Sequence, residues 1–176
     1  MNDILIIGTI AVDTALNLIA TKKSELRTTL SERYIDESKQ KLSDINKIDK
    51  EIFNQIDNDY IHEVSDYGIF GSLWDYAEER KTGIEIDLFS IPINQATVEI
   101  CEIFDINPYT SPSKGVYIMS VKSGYDACKT LEKNGICATV VGKETNSNDR
   151  VIVNGDEKRF LTPTDREAYF SDRFVK

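Results

Sequence analysis

What the sequence lacks narrows its chemistry first. It contains one histidine, His62, one tryptophan, Trp74, three cysteines and no Lys/Arg-rich run. A tetrahedral zinc site would have to be assembled from His62 and three scattered thiols, a poor ligand set. A Ser/His/Asp triad would also have to use His62, and no Gly-x-Ser-x-Gly elbow presents a serine to it. Neither a Gly-x-x-x-x-Gly-Lys-Ser/Thr loop nor a Gly-x-Gly-x-x-Gly turn occurs, so no local segment encodes a Walker or Rossmann phosphate cradle. No stretch approaches the roughly 18 apolar residues of a membrane helix. The start, Met1-Asn2-Asp3-Ile4, has no basic flank and no cleavage pattern after it, which argues against a signal peptide. Acidic side chains outnumber basic ones 30 to 21, a net charge of −9, and such a surface repels nucleic-acid backbones and anionic membranes. The expectation is a cytoplasmic protein with neither nucleic acid nor membrane as a partner. Cys101, Cys128 and Cys137 each fall in an apolar-patterned segment and are expected as buried thiols in a reducing compartment.

What is present suffices for one core. With 176 residues, 40% of them apolar, the chain reads as a single domain over 1–165 followed by a polar tail, 166–176. Ile4 to Ile7 form a short apolar run ended by Gly8, and Val12, Ala15, Leu16 and Ile19 then recur on one helical face: a strand feeding a helix. Residues 24–59 are polar and helix-prone, with thin stripes (Tyr34, Ile35, Ser38, Leu42; Ile45, Ile48, Ile52, Ile56) that predict two solvent-facing, mobile helices. Tyr60 to Val64 predicts a strand. Ser65 or Asp66 then caps a helix carrying Ile69, Phe70, Leu73, Trp74 and Ala77, stopped by Gly83. Trp74 is expected in the core, where truncation to alanine costs about 3–5 kcal/mol if burial is complete.

Residues 83–88 alternate as a half-buried strand, and Pro92 precedes a helix with Thr97, Ile100, Cys101 and Phe104 inside. Val116 to Val121, a helix closed by Asn134-Gly135, and Ile136 to Val141 make a strand, helix, strand unit. Arg150 to Val153 and Asp156 to Phe160 flank Asn154-Gly155, a strong hairpin signal. Alternating elements with a hairpin predict an α+β fold: a mixed β-sheet covered by helices.

The densest polar constellation is His62-Glu63-Val64-Ser65-Asp66-Tyr67-Gly68, a strand end, a turn and a helix start. The first amides of a helix are free donors at a positive dipole end, so His62, Glu63, Ser65, Asp66 and Gly68 are the candidate phosphate-loop or ligand residues. The plainer reading is a capped helix in which Gly68 and Gly71 permit close packing, and Asp66 would oppose an incoming anion.

Three stretches taken together resemble one family. Glu63-Val64-Ser65-Asp66-Tyr67-Gly68-Ile69-Phe70-Gly71 is similar to the Asp-Val-Thr-x-Gly-Gly-(Ile/Leu) stretch of AIR-synthase-related (PurM-like) C-terminal domains, and to its Phe-Gly variant in selenophosphate synthetases. Gly83-Ile84-Glu85-Ile86-Asp87, Ile91-Pro92-Ile93 and Ile106-Asn107-Pro108-Tyr109 follow in the order of the hydrogenase maturation (HypE-like) branch. Gly135 to Lys143 resembles that family's terminal strand, and the hairpin continues the likeness to Phe160. The sequence departs from the pattern at Glu63, where the family has Asp, and at Tyr67, whose side chain replaces a glycine and fills space that a phosphate near the backbone would need. It ends in Phe174-Val175-Lys176, without the cysteine tail on which HypE-type factors build a thiocyanate.

The resemblance implies a C-terminal domain that closes over a cleft, with the acidic residues for Mg-ATP and most of the dimer contact supplied by an N-terminal domain. Met1 falls where the second domain of such a protein begins. The expectation is therefore a domain of an ATP-dependent protein that is not catalytic alone, that meets Mg-ATP only with an N-terminal ATP-binding domain or protein partner, and for which a homodimer is compatible. The alternative is a degenerate paralogue acting as a protein-binding or regulatory module through residues 24–59. A small hydrolase around His62 has no supporting spacing.

Overall fold

The computed structural model describes residues 1–162. The expected polar tail, 166–176, and the last three residues of the expected domain lie outside them. Seven strands form one sheet: β1 (Asp3–Ile7), β2 (Tyr60–Glu63), β3 (Gly83–Asp87), β4 (Tyr117–Val121), β5 (Ala138–Thr145), β6 (Arg150–Asn154) and β7 (Glu157–Phe160), in the order β2-β4-β1-β5-β3-β6-β7. The pairings are antiparallel except β3 with β6. The mixed sheet of an α+β fold is therefore as expected. The central strand β1 is buried at Ile4 to Ile7 because both of its faces are covered, which is why it reads as a continuous apolar run rather than an alternation.

One face carries Ile4, Ile6, Ile84, Ile86, Ile118 and Ile152 against helix α4 (Gly68–Arg80). The other face, over β1 and β4, packs Leu5, Ile7 and Met119 against helix α6 (Gly124–Lys133) and the 3-10 turn Lys50–Gln55. A third cluster joins α1 (Val12–Thr21), α2 (Lys23–Leu26), α3 (Glu32–Ser43) and α5 (Gln95–Ile103) through Val12, Ala15, Leu26, Ile35 and Ile100. The stripes of 24–59 are thus packed inward: Ile35, Ser38 and Leu42 are buried on α3, and Ile52 and Ile56 are buried in and just after the 3-10 turn, so the segment holds one substantial helix instead of two.

Other differences have local causes. Tyr67 stands at the N-cap of α4 with no side-chain cap, and the helix ends at Lys81 in the left-handed region, two residues before Gly83. Ser65 Oγ instead accepts the Tyr67 N–H at 3.3 Å, and the Ser65 N–H donates to Ser72 Oγ at 2.9 Å. The hairpin turn is shifted by one residue: Asn154 pairs with Glu157, so Gly155 and Asp156 are its central pair, with Gly155 at φ 61°. That places glycine at the first central position, where positive φ is required.

Trp74 is half-buried, with the Arg150 guanidinium 3.9 Å above its ring. The largest fully buried side chain of α4 is Tyr76, with Ile69 and Leu73 beside it. Of the three thiols only Cys101 is buried, its pKa pushed up to about 11 by desolvation, while Cys128 is intermediate and Cys137 exposed.

Candidate functional site

The Ala11 backbone, at φ 55°, turns the chain sharply from β1 into α1. Its N–H donates to the buried Ser113 Oγ at 2.8 Å, Thr14 Oγ1 donates to the Pro112 carbonyl at 3.0 Å, and the Lys114 N–H donates to Asp13 Oδ1 at 3.3 Å. Three bonds across about a hundred residues of sequence thus tie the first turn of α1 to the loop before β4. On the far side of that loop, Gly68 stands at φ +71°, and a Cβ there would meet the Ser111 backbone at 2.7 Å. Only glycine lets the β2–α4 turn close onto residues 110–111.

Between these elements lies an open cleft of about 380 Å³, lined by Asp13, Asn17, Leu18, Asp66, Pro112 and Lys114 together with Thr14. Burial raises the Asp13 carboxyl above its ordinary pKa, against the lowering effect of the Lys114 amide. A group whose folded pKa is raised is at its most favourable when protonated, so the stability it contributes at low pH is lost as the pH rises through the folded pKa. Asp13→Asn keeps an acceptor for the Lys114 N–H and removes the charge. Its melting temperature at pH 7 is expected to exceed that of the parent, with the difference closing as the pH is lowered. An unchanged or lower value at pH 7 would show that the carboxylate is stabilised where it stands.

The five residues singled out from sequence are not gathered into one site. Asp66 lines the cleft, whereas Gly68 packs against the backbone of residues 110–111 and is not among the residues that line it. Glu63 points elsewhere: Lys50 Nζ donates to Oε2 at 3.0 Å and the Gly115 N–H to Oε1 at 3.1 Å. Burial works against its charged form, yet those two bonds outweigh it and hold the carboxyl below its usual range. Both partners of the Lys50 pair are well exposed, so solvent screens it. His62 sits on the edge strand opposite Ile118, its ring stacked on Tyr60 at 6.2 Å, while Ser65 is engaged with Ser72 and Tyr67. The structure therefore assembles no His62–Ser65 catalytic pair. Among the described residues, no three His, Cys, Asp or Glu side chains converge as metal ligands.

Asp13, Asn17 and Lys114 were not singled out from sequence. An aspartate in a first helical turn reads as an ordinary dipole partner, and nothing local links it to a loop a hundred residues away.

Residues 4–154 match the family model described as AIR synthase related protein, C-terminal domain. The chain belongs to that family. Escherichia coli HypE, a hydrogenase maturation protein, is similar in structure over 92% of this chain and 49% of its own, with a TM-score of 0.71 at 16% identity. A HypE solved in complex with ATP superposes over 92% of this chain and 50% of its own, TM-score 0.69 at 14% identity. Thiamine-monophosphate kinase from Stenotrophomonas maltophilia K279a matches 89% of this chain and 50% of its own, TM-score 0.62 at 14% identity. At these identities the likeness is one of fold, and the chain spans about half the length of each. No curated protein sequence matches it.

Proposed function

We propose that the chain is the C-terminal domain of an ATP-dependent protein of the AIR synthase and hydrogenase maturation type, forming one wall of a nucleotide-using cleft and catalysing nothing alone. The observation that supports this most directly is the make-up of the cleft. It offers two carboxylates, Asp13 and Asp66, against the single ammonium of Lys114, and a nucleoside triphosphate carries several negative charges that such a set repels. The turn beside it is spent on internal contacts with Ser72 and Ser111, and Tyr67 stands at the helix start. These residues do not fit Mg-ATP by themselves. The acidic groups that hold the metal, and the surface that closes the cleft, belong in this reading to an N-terminal ATP-binding domain or a partner protein.

Calorimetric titration of the chain with Mg-ATP is expected to give no heat of binding, and the chain no Mg-dependent hydrolysis. Turnover that tracks pure protein and disappears in Asp66→Asn would overturn the reading. The alternative, a binding or regulatory module working through 24–59, gains no specific observation. Charges there pair among themselves, as Arg27 does with Glu32 and Arg33 with Glu37.

A further inference from the structure

The cleft is also held from behind. Beyond the end of α3 the chain turns back through Asn46, whose backbone lies in the left-handed region at φ 64°. Asparagine is one of the few side chains that accept that conformation. Its amide engages both backbone groups of one residue: the Thr9 N–H donates to Asn46 Oδ1 at 2.7 Å, and Asn46 Nδ2 donates to the Thr9 carbonyl at 2.8 Å. Asn46 thus extends the exit of β1 as a strand partner would.

The same residue is wedged between the two chain segments that form the cleft. A Cβ on Gly8 would lie 2.6 Å from Asn46 Oδ1, and one on Gly115 would lie 2.8 Å from the Asn46 carbonyl oxygen, so neither position has room for a side chain while Asn46 is in place. A second tie follows at Lys50, whose Nζ donates to Glu63, while the other Glu63 oxygen accepts the Gly115 N–H. That tie runs through an exposed ion pair, so Asn46 carries the greater part of the grip. Thr9 stands two residues before Ala11, and Gly115 directly follows Lys114. Residues 46–50 therefore hold each segment just outside the bonds from Ala11 to Ser113 and from Lys114 to Asp13.

A loop packed on one strand end needs no explanation, whereas a single residue bonded to one wall of a cleft and wedged against the other fixes the distance between them. We propose that Asn46 is the positioning residue of the cleft: through Thr9 and Gly115 it sets the separation of the first turn of α1 from residues 112–114, and with it the placement of Asp13 against Lys114. The polar segment 24–59 then has a task within the chain, which is to deliver Asn46 and Lys50 to the back of the cleft. The inference rests on the reading of that cleft as the working surface of the domain.

Carboxyl titration of the 176-residue chain by carbon-13 NMR tests this, with Asn46→Gly as the variant. Glycine holds a positive φ without strain, so the variant removes the two Thr9 bonds and keeps the turn. Burial is the main cause of the raised Asp13 pKa. A cleft that loosens admits water, so the Asp13 titration is expected to move down toward that of an ordinary aspartate. The amide protons of Ala11 and Lys114, whose own partners are Ser113 and Asp13, are expected to move upfield as those bonds lengthen. Glu144, held by Tyr76, Arg80 and Ser120, is the internal control and should titrate as in the parent. If the glycine variant does not fold, Asn46→Ser carries the same test, because its shorter side chain cannot span both Thr9 groups. Asp13 titrating as in the parent would overturn the proposal, and so would equal displacement of Asp13 and Glu144, the mark of a general loosening. Calorimetry of the parent with Mg-ATP tests the role of the cleft separately, since Asn46 is unchanged there.

Discussion

Tyr76→Ala is expected to lower the unfolding free energy by about 3–5 kcal/mol, the range for removing a fully buried ring. Two costs add. The ring is wholly inside, edge-on to Tyr60 at 4.9 Å, so its loss leaves a cavity between α4 and the sheet. Its hydroxyl donates to Glu144 Oε1 at 2.5 Å, and without it a buried carboxylate keeps only Arg80 at 3.1 Å and Ser120 at 3.3 Å. Tyr76→Phe separates the two, retaining the ring and removing only the hydrogen bond. It is expected to cost about 1.5–3 kcal/mol, as for bonds to charged groups.

The second variant also carries a pH signature. Burial raises the Glu144 pKa, but the bonds from Tyr76, Arg80 and Ser120 prevail and hold it below the ordinary 4.5. A depressed folded pKa gives stabilisation that is fully present above pH 4.5 and is lost as the pH falls through the folded value. The gap between the parent and Tyr76→Phe should therefore narrow below about pH 4.5 in urea unfolding. A gap independent of pH would show that the hydroxyl does not serve the ionised carboxylate. Trp74→Ala provides the contrast: with a half-buried ring under Arg150, it should cost clearly less than Tyr76→Ala.

Gly68→Ala is the other large effect, about 2–5 kcal/mol. Holding alanine at φ +71° costs about 1–2 kcal/mol, and the new methyl would lie 2.7 Å from the Ser111 N and O, for which overpacking adds about 1–3 kcal/mol. Neither atom can move without disturbing the loop that also carries Ser113, the acceptor for Ala11. The damage is expected to spread to the cleft wall, seen as faster amide exchange at residues 111–115. If Gly68→Ala melts within a degree of the parent, the turn does not close on Ser111 as described.

The elements legible in the sequence are those whose signal is local. The apolar run of Ile4 to Ile7, the alternation of Gly83 to Asp87 and the period of α5 each reflect which faces a short segment buries, so they appear in the structure within a residue or two. The hairpin was legible too, although the register moved its turn by one residue. What misled was amphiphilicity. Trp74 and Tyr76 are two residues apart on one helix, and side-chain type alone does not say which of them points at the sheet. Tyr76 goes inside because Glu144, on β5, supplies the partner its hydroxyl needs, a fact that depends on how β5 aligns with β3. The polar segment 24–59 misled in the same way, since a thin stripe among charges is buried wherever a neighbouring helix offers a groove.

By itself, the sequence determined the α+β class, the order of the main elements and the likeness to the AIR-synthase-related family, because periodicity, turn residues and ordered short motifs are properties of contiguous chain. Tertiary structure alone decided the candidate site. It separated Glu63 and His62 from Asp66, and it brought Asp13 and Lys114 together across the cleft. Each depends on which distant segments are neighbours, and that is fixed by burial and hydrogen bonding summed over the whole fold.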